Sequence, residues 1–133
     1  MQSLKPIYKK PFEKVNTVDE SVWFSNDVPV METDFTFVFD DKYPCVKGHR
    51  LFIPKENNSH FLGRSYGLAY DYGNEQIKKG NIDGFNVGMN IGECAGQTIM
   101  WPHIHFIPRH IGDAKSKGGM RHAHPEGDHS HYY

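Results

Sequence analysis

The sequence predicts an α+β fold, in which an antiparallel sheet of about five strands packs against one principal helix. Two observations predict this fold. Several short segments alternate apolar and polar residues with a period of two, and one longer segment repeats its apolar positions every three or four residues. The length of 133 residues suits a single hydrophobic core.

The first two strands are predicted at residues 30–39 and 49–54. In the first, Phe35, Phe37 and Phe39 alternate with other residues, as a half-buried strand requires. The second is short and closed by a proline, and turn-forming residues lie between the two segments. We therefore expect an antiparallel pair.

The principal helix is predicted over residues 59–79, where apolar residues recur at helical spacing, and Gly80 is a natural C-terminal stop. Two further strands are predicted, at 85–91 and 97–107, and each alternates with a period of two. The helix therefore connects the two halves of the predicted sheet.

The charge and cysteine content exclude several classes of function. Fifteen basic residues against sixteen acidic ones give a net charge of −1, so we expect no nucleic-acid partner. Cys45 and Cys94 are isolated and form no CxxC pair, which favours a reducing, cytoplasmic location. No apolar run is long enough for a signal peptide or a membrane helix, so no membrane association is expected.

The predicted strand at 97–107 places Trp101, His103 and His105 on one face. The two imidazoles could be structural, or they could bind zinc with further ligands, although no carboxylate or thiolate lies nearby in the sequence. Alternatively, one neutral ring attacks phosphorus while its neighbour, with a pKa near neutrality, donates a proton to the leaving group.

The residues around these histidines resemble a known signature. Residues 96–109 read Gly-Gln-Thr-Ile-Met-Trp-Pro-His-Ile-His-Phe-Ile-Pro-Arg. They are similar to the Gly-Gln-Thr/Ser-Val-x-His-x-His-x-His-apolar-apolar-Pro-Arg pattern of the histidine-triad superfamily of nucleotide hydrolases and transferases. Residues 40–55 resemble the first hairpin of that family, and Asn90-Ile91-Gly92 resembles its Asn-x-Gly.

The resemblance implies a nucleotide-binding domain at residues 21–112, between an N-terminal extension at 1–20 and a histidine-rich tail at 113–133. It implies a homodimer that binds a purine nucleotide or dinucleotide across the sheet. No cofactor is required, and Mg²⁺ enters only with a polyphosphate substrate.

The resemblance also implies roles for individual residues. His103 is the nucleophile, and His105 bridges to the phosphate or the leaving group. Asp41 contacts the ribose hydroxyls, and His49 lies behind His103, where it fixes the tautomer of that ring. The remaining polar positions of the motif hold the phosphates or the leaving group: Asn90, Gln97 and Thr98.

The sequence departs from the family pattern at Trp101, which stands at the first histidine of the triad. That position supports the nucleophile from behind, so its loss affects rate and substrate range more than the reaction itself. The histidine at position 105 favours the hydrolase branch, because galactose-phosphate uridylyltransferases typically have glutamine there. Pro102, however, is shared with those transferases.

We therefore expect a hydrolase that cleaves a phosphoanhydride or phosphoramidate bond at the α-phosphate. The dinucleoside polyphosphate hydrolases and nucleoside phosphoramidases are the two types considered. The alternatives are a nucleotide-binding module with little turnover, a nucleotidyltransferase, and a metal-binding protein that uses its tail. The tail contains four histidines that a metal could bind, although it could equally cover the nucleotide site or a dimer interface: His122, His124, His129 and His131.

Overall fold

The computed structural model describes residues 12–115 and 118–131 and shows the predicted α+β fold. The strands are β1 (Met31–Glu32), β2 (Thr36–Asp40), β3 (Arg50–Pro54), β4 (Gly84–Gly88) and β5 (Ile104–Arg109). They form one antiparallel sheet in the spatial order β1-β2-β3-β5-β4. The helices are α1 (Val22–Asn26) and α2 (Ser59–Lys78), and short 3-10 turns lie at Val18–Glu20, Glu93–Ala95 and Met120–Ala123.

Helix α2 confirms the predicted helix, and local chemistry determines both of its ends. Asn58 caps the N-terminus, because its side-chain oxygen accepts a hydrogen bond from the Phe61 N–H at 2.9 Å. Gly80 adopts a φ of 77° just beyond the C-terminus. In the middle of the helix, a Cβ added at Gly73 would lie 2.4 Å from the ring of Phe85. The absence of a side chain at Gly73 therefore allows α2 to pack closely on β4.

The sheet has two differently packed faces. On one face, α2 covers an apolar cluster that we call the helix-side core: Val38, Phe52, Ala69, Ile104 and Phe106. On the other face, the N-terminal segment and α1 cover a second cluster, the site-side core: Val15, Val18, Trp23, Phe39, Leu51, Ile53 and Trp101. Burial of each large apolar side chain stabilises the fold by about 1.5 to 3 kcal/mol.

The N-terminal segment belongs to this packing from its first described residue. The Phe12 N–H donates a hydrogen bond to the Thr98 carbonyl at 2.8 Å, and Lys14 forms an isolated parallel bridge with Met100. Val15 and Val18 are buried in the site-side core. The described part of the predicted N-terminal extension therefore packs across one face of the sheet.

Three of the predicted strands differ from the observed ones. The segment at 30–39 folds into a hairpin of β1 and β2, because the Thr33 N–H donates to the Thr36 carbonyl and closes a turn. The strand predicted at 97–107 begins only at Ile104, after Pro102, which has no N–H for a sheet ladder.

The strand predicted at 85–91 is shorter than expected, since β4 ends at Gly88. A turn of 3-10 helix follows between Gly92 and Gly96, which have φ values of 92° and 95°. Within residues 12–115 and 118–131, no helix combines the length and apolar character that crossing a membrane requires.

Candidate functional site

A cavity of about 200 Å³ opens on the face of the sheet opposite α2. Its apolar walls come from α1, β3 and the segment before β5, and its polar groups come from the loop after β2 and from the histidine motif. Lys42 and Tyr43 are exposed at its rim. The other lining residues are Val22, Trp23, Asp27, Asp41, Leu51, Thr98, Ile99, His103 and His105.

His103 is a buried, neutral imidazole whose Nε2 has no hydrogen-bond partner among the described residues. Its Nδ1 lies 2.7 Å from the Trp101 carbonyl oxygen, which can only accept a hydrogen bond, so the ring proton is on Nδ1. Burial lowers the pKa of His103, although the Trp101 carbonyl and the Asp41 carboxylate act in the opposite direction. The Nε2 of His103 therefore carries a lone pair at neutral pH, as a nucleophile requires.

His105 lies beside His103, with 5.3 Å between the ring centroids. Its pKa is lowered to about 4 by burial and then by the positive charges that His103 and His49 would carry, while Asp41 opposes the shift. The expectation of a proton donor with a pKa near neutrality is therefore wrong for the free protein. The low-dielectric surroundings keep His105 neutral.

The proton of His105 is located by a chain of hydrogen bonds. The Cys45 backbone N–H donates to Nδ1 of His49 at 3.1 Å, which places the proton of neutral His49 on Nε2. That Nε2–H donates to Nδ1 of His105 at 2.9 Å. The proton of neutral His105 is consequently on its own Nε2.

The prediction that His49 lies behind His103 is wrong, and the strand register explains the difference. Leu51 of β3 pairs with His105 of β5. His49 lies two residues before Leu51 on the same face, so it is diagonal to His105 and farther from His103. The partner that fixes the His103 tautomer is the Trp101 carbonyl.

Asp41 and Thr98 line the cavity as predicted for nucleotide-binding residues. The Oδ1 of Asp41 accepts a hydrogen bond from the Tyr43 N–H at 2.8 Å, and its Oδ2 lies 3.3 Å from Nε2 of His49. A carboxylate has about four acceptor positions, so Asp41 can still accept from a ligand hydroxyl.

The two predicted amides, Gln97 and Asn90, do not line the cavity. The side chain of Gln97 accepts from the Gly92 N–H at 2.8 Å and donates to the Ile99 carbonyl at 3.0 Å, which orders the loop before the histidine motif. Asn90 lies against Gly96 in the same loop. Both amides therefore contact the loop that carries Thr98.

Trp101 is a core residue. It is 3% exposed, and its indole Nε1–H donates to the Pro54 carbonyl at 2.9 Å. Trp23 and Asp27 also line the cavity, although neither is among the site residues predicted from the sequence. Trp23 packs on His103 with 5.0 Å between the ring centroids. The sequence signal for this wall was the apolar run Val22-Trp23-Phe24.

The fold brings a carboxylate to the histidines, which the sequence had not suggested. Ligand atoms of Asp41, His49 and His105 lie within 4.8 Å of one another, and no other such trio occurs in the described part of the chain. A metal would need the lone pair of His49 Nε2, yet the Cys45 N–H places a proton on that nitrogen. The contacts favour a hydrogen-bonded chain.

The described tail residues lie on β4 and β5, away from the cavity. Arg109 anchors the turn before them through two hydrogen bonds to Asp113, at 2.8 and 2.9 Å, and Met120 covers Gly88. The rings of His122 and His129 stack at 4.2 Å. Between residues 118 and 131, the tail neither lines the cavity nor gathers a trio of metal-binding groups.

Comparisons with known proteins identify relatives of this chain. The sequence model of one protein family, the HIT domain, matches residues 25–112. An uncharacterised HIT-like protein of Methanocaldococcus jannaschii is 33% identical over 92 residues, which cover 65% of this chain and 71% of that protein.

Two relatives have names that state a reaction. An adenosine 5′-monophosphoramidase of Saccharomyces cerevisiae is 31% identical over 87 residues, covering 60% of this chain and 52% of the enzyme. An adenylylsulfatase of Arabidopsis thaliana is 33% identical over 85 residues, covering 59% of this chain and 43% of the enzyme. The chain thus spans about half the length of each.

Solved structures show the same fold. A HIT-like protein from Bartonella henselae, described as involved in cell-cycle regulation, superposes with a TM-score of 0.63 at 25% identity, covering 74% of this chain and 82% of that one. A zinc-bound histidine-triad family protein from Mycobacterium smegmatis gives a TM-score of 0.60 at 25% identity, covering 66% and 69%. The motif, the sheet topology and the family match together show that this chain belongs to the HIT domain family.

Proposed function

We propose that this protein is a nucleotide hydrolase that cleaves a phosphoanhydride or phosphoramidate bond at the α-phosphate. One observation carries the proposal. The Trp101 carbonyl holds the proton of His103 on Nδ1, which leaves a nucleophilic Nε2, and the ring of His105, protonated on its own Nε2, lies 5.3 Å away between ring centroids. A neutral nucleophile next to a hydrogen-bond donor is the arrangement that nucleotidyl transfer to an imidazole requires.

In the first step, the Nε2 lone pair of His103 forms a bond to the α-phosphorus. The bond from phosphorus to the leaving oxygen or nitrogen breaks, and its electron pair goes to the leaving atom. His105 donates the proton that this atom needs. A bound phosphate adds negative charge beside His105 and raises its pKa, so the ring takes up that proton on Nδ1 together with the substrate. The Nε2–H of His49 then donates to Oδ2 of Asp41, 3.3 Å away, in place of His105.

In the second step, water forms a new P–O bond while the P–N bond to His103 breaks. The electron pair of that bond returns to Nε2, and neutral His105 accepts the proton that water loses. The nucleoside monophosphate then leaves. The proton that His105 received from water is released as the phosphate leaves, because the pKa of the ring falls again, and each histidine returns to its starting state.

In this proposal, the other site residues bind the substrate. Asp41 accepts hydrogen bonds from the ribose hydroxyls, and Thr98 donates to the phosphate or the leaving group. Gln97 acts through the loop that it orders. Asn90 supports the same loop from its other side.

The names of the two distant enzymes support hydrolysis of a nucleotide conjugate. Within that class, we propose a nucleoside phosphoramidase or a dinucleoside polyphosphate hydrolase. Trp101 gives a reason for a second candidate, a nucleotide-binding module with little turnover, because the first triad position holds a core indole. Nucleotidyl transfer to an acceptor other than water is the third, since the covalent intermediate would be the same.

The chemistry needs no resident metal or other cofactor, and Mg²⁺ would serve only to neutralise a polyphosphate substrate. A cytoplasmic location remains our proposal from the isolated cysteines, which are both exposed and free. The homodimer also remains a proposal. It is supported by the position of β4 at the edge of the described sheet, where the outer backbone groups of a strand need a partner.

The decisive experiment seeks the covalent intermediate. The protein is mixed with adenosine 5′-phosphoramidate or a dinucleoside polyphosphate, quenched at neutral or alkaline pH, and examined by intact-protein and peptide mass spectrometry. We expect a nucleoside monophosphate adduct on His103. The His103→Ala protein should lose at least about a thousandfold in turnover while it still binds nucleotide.

The matched control is His60→Ala, which removes an exposed imidazole on α2 and should leave turnover unchanged. An adduct on another residue, or full activity of the His103→Ala protein, would overturn the mechanism. Tight nucleotide binding by the unaltered protein without turnover of any conjugate would instead support the binding module.

A further inference from the structure

One carboxylate in the cavity has no role in the proposed chemistry. Asp27 directly follows α1, and its backbone N–H donates to the Trp23 carbonyl at 3.0 Å, which ends that helix. Asp27 is exposed and is one of the residues that line the same cavity as His103. Among the described residues, no hydrogen bond or ion pair involves the Asp27 carboxylate. Its acceptor oxygens are therefore available to a ligand.

The surroundings of Asp27 indicate which part of a nucleotide it would meet. Asp27 ends the helix that carries Val22 and Trp23, and Leu51 and Ile99 also line the cavity with apolar side chains. A base is the planar, least polar part of a nucleotide, so it occupies such a region, while the phosphate lies at the histidines. Asp27 is the carboxylate that α1 adds to the apolar part.

We propose that Asp27 reads the edge of the base and makes the site selective for guanine nucleotides over adenine nucleotides. This inference rests on the proposed function, because it assumes that a nucleotide occupies the cavity. A carboxylate only accepts hydrogen bonds. Guanine presents two adjacent donors on its Watson–Crick edge, N1–H and the N2 amino group, which match the two carboxylate oxygens.

Adenine fits this carboxylate less well. Its edge offers one donor, the N6 amino group, next to the N1 acceptor, whose lone pair would face a carboxylate oxygen. Hypoxanthine keeps N1–H but lacks the N2 amino group. Because a bidentate pair of this kind discriminates between bases by about tenfold or more, the expected order of affinity is GMP, then IMP, then AMP.

The experiment measures the dissociation constants of GMP, IMP and AMP for the full chain by calorimetry. Three proteins are compared: the unaltered chain, Asp27→Asn, and Asp19→Asn as a matched control. Asp19 is an exposed carboxylate just before α1 and does not line the cavity. The Asp27→Asn change keeps the side-chain size but replaces one acceptor by a donor, which opposes the N1–H of guanine.

For the unaltered chain, we expect GMP to bind at least about tenfold more tightly than AMP, with IMP between them. The ratio of GMP to AMP affinity should fall to within about threefold in Asp27→Asn and stay unchanged in Asp19→Asn. Equal or tighter binding of AMP by the unaltered chain, or an unchanged ratio in Asp27→Asn, would overturn the role of Asp27 alone. Failure of all three nucleotides to bind would overturn the proposed function itself.

Discussion

The two faces of the sheet are built from the same strands, yet they differ in what they bury. Beside its apolar core, the helix side buries a pair of neutral hydroxyls, Thr36 and Ser65, which hydrogen-bond to each other at 2.6 Å. The opposite face buries two titratable rings, His49 and His103, beside an open cavity. In β5 the change occurs from one residue to the next, since Ile104 and Phe106 face α2 while His105 lines the cavity. One strand therefore serves stability on one side and chemistry on the other.

The largest expected effect tests the helix-side face. Phe106→Ala should lower the free energy of unfolding by about 3 to 5 kcal/mol, because a fully buried ring leaves a cavity between α2 and the sheet. Urea denaturation measures this loss. Ile111→Ala, at a side chain that is 90% exposed, should change stability by less than about 0.5 kcal/mol. Similar losses in both variants would contradict the assignment of this core.

A smaller effect is expected from the pH dependence of the site-side face. Because the pKa of His105 is about 4 in the folded protein and near 6.5 when unfolded, the unfolded chain takes up a proton first as the pH falls. Full stability is thus present above about pH 6.5 and declines as the pH falls toward 4. Between about pH 7.5 and about pH 5, the protein should lose about 1 to 2 kcal/mol more than the His105→Gln variant.

Urea midpoints at the two pH values, measured for both proteins, give that difference directly. Because each protein is compared with itself at the two pH values, any loss of stability that the substitution causes at both pH values cancels. A parallel decline in the two proteins would show that His105 is not held neutral by its surroundings.

The smallest effect concerns nucleotide affinity. Asp41→Ala should weaken nucleotide binding by about tenfold and change the turnover number less, because a ribose contact is nearly equal in the ground and transition states. Asp40→Ala is the matched control, since this neighbouring carboxylate pairs with Arg50 outside the cavity. Steady-state kinetics should separate the two effects. A collapse of turnover with unchanged affinity would assign Asp41 to the chemistry.

Local patterns predicted the elements whose causes are local. The spacing of apolar residues and Gly80 located α2 almost to the residue, and β3 was also correctly placed. The alternation around the motif correctly put Trp101, His103 and His105 on the face opposite Ile104 and Phe106. Side-chain periodicity survives even where the ladder of backbone hydrogen bonds does not form.

The errors arose where distant contacts decide the structure. The partner of His49 depends on the register between β3 and β5, and the approach of Asp41 depends on how the loop after β2 folds back. The hydrogen bonds of Gln97 were also missed, because its amide bonds to the backbone of the loop that contains it. The family resemblance implied a role for each of these residues. Their actual contacts depend on the fold and could not be predicted from the sequence.

The contact between Trp23 and His103 has an optical consequence. The chain contains two tryptophans, and both lie in the site-side core. Trp23 is the one whose ring packs on the proposed nucleophile. A positive charge on a neighbouring imidazole quenches indole emission, and nucleotidylation at Nε2 leaves the ring cationic because Nδ1 keeps its proton. The protein therefore carries its own fluorescent reporter of the intermediate, with the formation and decay of the P–N bond visible in a stopped-flow trace without any added dye.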